Sequence, residues 1–429
     1  MTPEKKASET LKILILHALG PKSKKIKSVK EHEFLIPNFD KKHQYHIHNA
    51  RRPASKALKK TQYDSIIIAS TFLDLITDQK RGEAKRSEFA FLSTSNAVKI
   101  AFPQDDYWMS EVRDNFYAEM KLDYVFSVCQ PEYWSVLFPR YQKTGKILKG
   151  FTAYIDKRHF ELFSDKKKFT DREFDVVYRA AKNPLFPNAL GYLKANLGLN
   201  FQSCAEEMNL KLRLDVVGNP KTGNLWEEFI GNSMCVLGSP SGSSTLIRNK
   251  DDALKIEYIQ SDFSSSNTEK QNELIKVFPS ELLSRNYSAL SPRNFEAAAS
   301  GTAQILYGSD YDKILTPWED YLPFTFDEDS LLKVNDFLQN PEKLERIASN
   351  CWKKLSQYQS LRVEVHVQHV LDLINNKRGG ENLPGHGPRA SSWNFFEAKV
   401  LSLISDLELM FQDLVVQAMK RILDKVRLG

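Results

Sequence analysis

The chain has no run approaching ~18 apolar residues, so no transmembrane helix is expected. Cysteine is scarce: Cys129, Cys204, Cys235 and Cys351 are the only four in 429 residues. Their wide spacing fits neither a zinc pattern nor a secreted disulfide framework, and a reducing compartment is the simplest setting. Glycine and proline number 18 each, too few for a collagenous or low-complexity chain. A dense basic stripe is also missing. The net charge is only +6, from 60 basic and 54 acidic residues, and most of the excess lies in the first 62 residues. A dedicated nucleic-acid binder is therefore not expected. The N-terminal MTPEKKASETLKILILHAL has a short apolar stretch and no small-residue cleavage site, so it reads as a first strand and not as a signal peptide. No repeat at solenoid periods occurs.

What is present is an ordinary globular balance, 41 % apolar and 27 % charged. At ~150 residues per domain the length suggests two or three domains. Short apolar runs alternate with amphipathic ones through the first 165 residues. Strands are predicted at Leu11–Leu16, Tyr45–His48, Ser65–Ala69, Ala97–Phe102 and Tyr124–Val128, with helices around Ala54–Leu58 and Ser110–Met120. This alternation implies βαβ units and a parallel sheet covered on both faces. In such sheets ligands bind outside the carboxyl ends of the strands.

Asp165–Asp171 (DKKKFTD) reads as an interdomain linker, after which the alternation restarts. Strands are expected at Phe174–Tyr178, Leu210–Val217, Met234–Leu237 and Thr302–Tyr307. Helices are expected at Leu190–Phe201, Trp226–Gly231, from Ser291, at Asp329–Leu338 and at Pro341–Tyr358. The fold class is α/β: two Rossmann-like lobes with a cleft between them and a long C-terminal helical extension. The expected domains are a first lobe over 1–165, a second over 170–376 with its closing helices, a Gly/Pro linker over 377–390 and an amphipathic helix over 391–429. In that last helix Val400, Ile404, Leu407, Phe411, Leu414 and Ala418 step by 4, 3, 4, 3 and 4, a heptad-like seam suited to self-association or a protein partner.

Ser291-Pro-Arg-Asn-Phe-Glu-Ala-Ala-Ala-Ser-Gly-Thr302 is the most informative segment. Ser291 is a good N-cap, Pro292 a good first helical residue and Gly301 a left-handed stop. A helix start aimed at a cleft offers N–H groups to a diphosphate, and Glu296, one turn in, can accept hydrogen bonds from ribose hydroxyls. The same residues also describe a plain capped helix with a surface Arg293–Glu296 pair. Arg179, Lys182 and Lys194 follow the first strand of the second lobe, where cations can offset a leaving diphosphate; a solvated basic loop reads equally. Gly238–Ser244, with Ser243, is either an anion nest or a flexible turn. Asp105 and Asp106 follow a first-lobe strand and can supply a general base, or cap the next helix. His17 ends the first strand, facing the acceptor or simply hydrogen-bonded. His43, His46 and His48 lack a completing Cys or carboxylate for zinc, and Asp310-Tyr-Asp312 reads as a loop, so no metal site is expected.

SPRNFEAAASGTAQILYG, followed by TPWEDYLPF and NPEKLERIASNCWKKL, resembles the C-terminal end of GT-B glycosyltransferases, above all the sporulation-protein-like group. FDVVYRAAKNP, Gly191-Tyr-Leu-Lys194, Trp226 and LGSPSGSS extend the resemblance to bacterial cell-surface polysaccharide transferases, over roughly 170–355; the first lobe matches mainly at AFPQDDYW. The resemblance implies that Glu296 contacts the donor ribose. Retaining members of the large related family carry a second Glu eight residues earlier, where this chain has Ser288.

Together these readings imply transfer of a sugar from a nucleotide-diphosphate donor to a saccharide or lipid-linked acceptor. The expected reaction needs no metal or other cofactor and serves cell-surface glycan synthesis in the cytoplasm, with the basic N-terminal stretch resting on the inner membrane face. No nucleic-acid partner is expected. Two alternatives stay open: a nucleotide-sugar epimerase of the same fold, and a non-catalytic GT-B scaffold binding a partner through its C-terminal helix.

Overall fold

The computed structural model describes residues 10–20, 27–180, 189–221, 223–261, 287–308, 310–380 and 395–403, with positions 269, 272, 273, 276 and 407. The first lobe is a parallel six-stranded sheet in the order β2-β1-β3-β4-β5-β6. Its strands are β1 Lys12–His17, β2 Gln44–Asn49, β3 Ser65–Ile68, β4 Val98–Ala101, β5 Tyr124–Ser127 and β6 Lys146–Lys149. The near-continuous burial of KILILH, SIII and VKIA is what a sheet covered on both faces demands. β6, which has no fully buried residue, is an edge strand without an apolar run to announce it.

The second lobe holds a five-stranded parallel sheet, β13-β12-β9-β7-β8. The strands are β7 Phe174–Val177, β8 Leu214–Asp215, β9 Ser233–Gly238, β12 Ala303–Tyr307 and β13 Leu322–Phe324. β8 is two residues, not the eight expected at Leu210–Val217, because only Leu214 and Asp215 pair with β7. β10 Ser241–Ser243 and β11 Tyr287–Ala289 form a separate antiparallel pair. Gly238–Ser244 is therefore largely strand and not a nest. Gly242 has φ +98°, and a Cβ there would run into the Tyr287 carbonyl.

The lobes are not contiguous in sequence. Leu246, Ile247, Ala253, Ile256 and Ile259 join the first-lobe core, and the Ile247 N–H donates to the Tyr107 carbonyl at 2.9 Å. Val363, Val367, Val370 and Ile374, placed in the second lobe by the sequence, pack with Ile13, Ile100 and Phe126 of the first. Their helix, Val363–Gly380, runs into the segment expected to be linker. It continues because Lys377 and Arg378 are anchored on first-lobe Asp123 and Asp64, at 3.6 and 2.7 Å. The start of the C-terminal helix, 395–403, lies on β2. Among the described residues no helix is long and apolar enough to cross a membrane, and all four cysteines are free thiols.

Candidate functional site between the lobes

Both sheets turn the carboxyl ends of their strands toward the space between the lobes. A cleft of about 970 Å³ opens there, lined from the first lobe by Asp74, Asp105, Tyr107 and Trp108 and from the second by Lys194 and Ser241–Ser243. A second, smaller cavity of about 50 Å³ is lined by residues including Lys27, Arg158, Glu227 and Glu296.

The Pro292–Ala299 helix forms as its sequence dictates. Ser291 caps it and Gly301 follows at φ +60°. The cap is self-satisfied, however. Ser291 Oγ accepts from the Arg293 N–H at 3.4 Å, Asn294 Oδ1 accepts from the Ser291 N–H at 2.8 Å, and Ser291 O accepts from the Asn294 N–H at 2.9 Å. Pro292 has no N–H to give. The expected free amide groups are thus already used, and what this helix start offers an anion is the Arg293 side chain. Its guanidinium lies 5.3 Å from the Trp226 ring and 6.0 Å from the Tyr178 ring, and it interacts electrostatically with both Lys194 and Glu296. Arg293 thus interacts with one lining residue of each cavity, Lys194 of the larger and Glu296 of the smaller.

Glu296 Oε2 accepts from the Trp226 indole N–H at 2.6 Å. Burial raises its carboxyl above the ordinary range, with Trp226 and Arg293 opposing. Burial lowers the Lys194 ammonium to about 8; Arg293 lowers it further and Asp105 opposes. Glu227 draws Lys27, at 2.7 Å, and Arg158 across the small cavity. Burial alone would raise the Glu227 carboxyl, but these two cations hold it below its usual value.

Other candidates have structural duties. Arg179 is buried: it donates to the Asp215 carbonyl at 2.8 Å and the Asp215 carboxylate at 2.5 Å, and stacks over Phe229. It ties β7 to β8 and does not face the cleft as a diphosphate ligand. Asp106 is 0 % exposed and accepts from Ser127 Oγ at 2.6 Å and the Val128 N–H at 3.1 Å, so it cannot meet an acceptor. Asp105 does line the cleft, its Oδ1 accepting from the Tyr107 hydroxyl at 2.5 Å. Ser243 lines the cleft too, but its hydroxyl donates to the Thr245 carbonyl at 2.9 Å. His17 is buried, its Nδ1 accepting from the Leu19 N–H at 3.2 Å, and it lines neither cavity. Lys182 lies outside the described residues. Asp312 joins the lobes, bonding Gln130 and, at 3.4 Å, Lys149 from the first and the Leu290 N–H at 3.3 Å in the second. His46 and His48 share the Ser402 hydroxyl, at 2.8 and 3.0 Å.

Sequence reasoning missed Asp74. It is the one exposed residue of the Ser70–Ile76 helix after β3. A lone acid inside the otherwise uncharged STFLDLI, directly beyond a strand end, was the available signal.

Residues 268–369 match the family model described as "Glycosyl transferase-like". No curated protein sequence matches the chain. Among solved structures the chain is similar to an alpha-glucosyltransferase in complex with UDP and a 13-mer DNA containing a HMU base, at 11 % identity and a TM-score of 0.53, over 86 % of this chain and 100 % of that one. The alpha-glucosyltransferase complex with UDP-glucose and DNA containing an abasic site matches at 11 % identity over the same shares, with a TM-score of 0.50. Anabaena HepE in complex with UDP matches at 9 % identity over 85 % of this chain and 100 % of that chain, with a TM-score of 0.47. The chain therefore has the two-lobed GT-B fold of glycosyltransferases, with a glycosyl transferase-like segment at residues 268–369.

Proposed function

We propose that the chain is a glycosyltransferase that moves a sugar from a nucleotide-diphosphate donor to a saccharide or lipid-linked saccharide in cell-surface glycan synthesis. The observation that carries this is Arg293, which interacts electrostatically with both Lys194 and Glu296 in the second lobe of a GT-B fold. The cations suit a diphosphate, and Glu296 on its indole anchor suits a pair of ribose hydroxyls. Transfer is metal-independent in this reading, since the two side chains offset the leaving charge; undiminished turnover in EDTA is the expected result. Within the transferases, the SPRNFEAAASG helix supports the sporulation-protein-like group. Free thiols suit a cytoplasmic setting, with the basic N-terminal stretch against the inner membrane face.

The acceptor is not nucleic acid in this reading, although the similar alpha-glucosyltransferase was solved with DNA. Asp74, Asp78, Asp105 and Glu257 line the large cleft against Lys80 and Lys194. That acidic excess repels a polyanion. The C-terminal helix serves self-association or a protein partner.

Glu296→Ala is the test. Alanine keeps the helix, and each lost hydrogen bond to a charged acceptor costs about 1.5–3 kcal/mol of binding. Calorimetric titration with the best nucleotide sugar from a thermal-shift panel should show at least a tenfold loss of affinity. Equal affinities would remove Glu296 from the site, and isomerised sugar from donor alone would identify an epimerase.

A further inference from the structure

Resting on that transferase reading, we propose that Asp74 is the general base that takes the proton of the acceptor hydroxyl, so that transfer is a single displacement inverting the anomeric carbon. Asp74 projects from the helix that starts at the carboxyl end of β3, and 55 % of its side chain is open, into the large cleft. Its other helix neighbours are buried. Oδ1 accepts from Arg113 Nη2 at 2.9 Å, and Arg113 is itself fully buried, its Nε donating to the Trp108 carbonyl at 3.0 Å. The carboxylate is held from below, while Oδ2 has no hydrogen bond among the described residues.

The order of charges across the cleft places it. Arg293 interacts with Lys194, Lys194 with Asp105, and Asp105 with Asp74. Lys194, Asp105 and Asp74 line the same cleft, whose volume of about 970 Å³ can take a sugar and an acceptor. The rival acids fit less well: Asp106 is sealed in the core, and Asp105 is engaged by the Tyr107 hydroxyl and faces Lys194. The groups facing Asp74 are Arg113 and Tyr117 from the Ser110–Glu119 helix, Asp105 from the loop after β4, and Glu33 from the Lys27–Glu33 helix. Desolvation in the cleft wall pushes the Asp74 carboxyl up to about 6; Arg113 opposes and Asp105 adds to the rise. That is a serviceable basicity near neutral pH.

In the step itself the acceptor oxygen bonds to the anomeric carbon as its proton passes to Asp74 Oδ2. The bond from that carbon to the β-phosphate oxygen breaks, and its electron pair leaves on the nucleoside diphosphate, whose charge Arg293 and Lys194 meet. Asp74 then returns its proton to solvent through the cleft.

The test uses the full chain with its best donor and acceptor. Asp74→Asn should lower kcat about 100- to 10,000-fold with donor affinity unchanged by calorimetry, and Asp74→Glu should recover part of the loss. Wild-type kcat/KM should rise with pH through about 6, because the base works deprotonated. Asp105→Asn should move that limb to lower pH by removing a like charge. NMR of the product should show inverted configuration. Retained configuration, or an Asp74→Asn rate within tenfold of wild type, overturns the assignment while leaving the transferase reading intact. A chain that binds no nucleotide sugar overturns both.

Discussion

Arg172 holds the end of the Pro292–Ala299 helix from behind. It is 1 % exposed and rests over the Phe169 ring, centroid 4.3 Å away. Its Nη1 donates to the Ser233 carbonyl at 2.7 Å and Thr302 Oγ1 at 2.9 Å, and its Nη2 to the carbonyls of Lys167 and Gly301, both at 3.0 Å. Burial lowers the guanidinium to about 10, and carbonyl dipoles take the place of a carboxylate. One fork thus ties β9, the turn at Gly301 that ends the Pro292–Ala299 helix, and the connection between the lobes. Arg172→Met would strand several buried carbonyls at about 1–3 kcal/mol each. A loss of roughly 3 kcal/mol or more in urea unfolding is expected, and Arg172→Lys should recover little because an ammonium cannot span the fork. A destabilisation under 1 kcal/mol would contradict this role. The sequence places Arg172 beside DKKKFTD, where it looks like one more solvated cation. Local spacing carries no sign of a buried fork whose partners lie about 60 and 130 residues away.

The C-terminal helix presents two faces with different tasks. Phe395, Ala398 and Ser402 are buried, stepping three and four residues along one side. Phe395 packs on Tyr63 and His46, and Ser402 bonds His46 and His48. Val400 and Leu407, from the seam read in the sequence, are 37 % and 57 % exposed, as is Leu403 at 62 %. The two described seam positions are thus open to solvent. The other seam positions, Ile404, Phe411, Leu414 and Ala418, lie outside the described residues. Periodicity marked the seam as a face for self-association or a partner; the docked side carries a serine whose value lies in two distant histidines. The two faces should separate by mutation. Phe395→Ala should lower the melting temperature, by the roughly 3 kcal/mol expected of a buried ring. Leu403→Glu with Leu407→Glu should leave the melting temperature unchanged and reduce the mass seen by light scattering. A wild-type chain that is monomeric at all concentrations would remove the association role of the seam.

At the scale of the whole molecule, buried histidines make the fold sensitive to acid. Burial lowers His32 and His48 to about 4 and His46 and His366 to about 3. Neighbouring cations and histidines add to the fall at His46 and His366, from His48 and Lys399 and from His32 and His369. Lys85 also lowers His48, against Glu88. The unfolded chain binds these protons below about pH 6.5 and the folded chain does not, so stability falls as pH drops below that value. Four such groups together are worth several kcal/mol by about pH 5. Glu33 works the other way. Burial raises its carboxyl to about 7 despite hydrogen bonds from Ser70 and Thr71, so its contribution is lost as pH rises from about 4.5 to 7 and offsets part of the acid loss. The melting temperature should fall steeply from pH 7 to 5, and His46→Gln should flatten the drop. A flat profile over that range would contradict the burial of these rings. All four histidines sit where a helix returns to the first lobe, two under the 395–403 helix and two between Lys27–Glu33 and Val363–Gly380. Amide exchange at pH 5 should therefore appear first in those helices.

Much of this molecule was legible in order along the chain. Short apolar runs such as KILIL and SIII could only be strands buried on both faces, and Ser291 and Gly301 bounded their helix because capping and positive φ are local requirements. That Glu296 and Lys194 line cavities follows from their places one turn into a capped helix and beyond a strand. Burial periodicity says that a face is covered, however, and not by what. Only the tertiary structure decided that the segments around Ile247 and Val370 return to the first lobe, that Arg179 and Asp106 are locked in the framework, and that Asp74, braced by a buried Arg113, lines the same cleft as Lys194. Those outcomes rest on contacts between residues tens to hundreds of positions apart, whose energies no local pattern records.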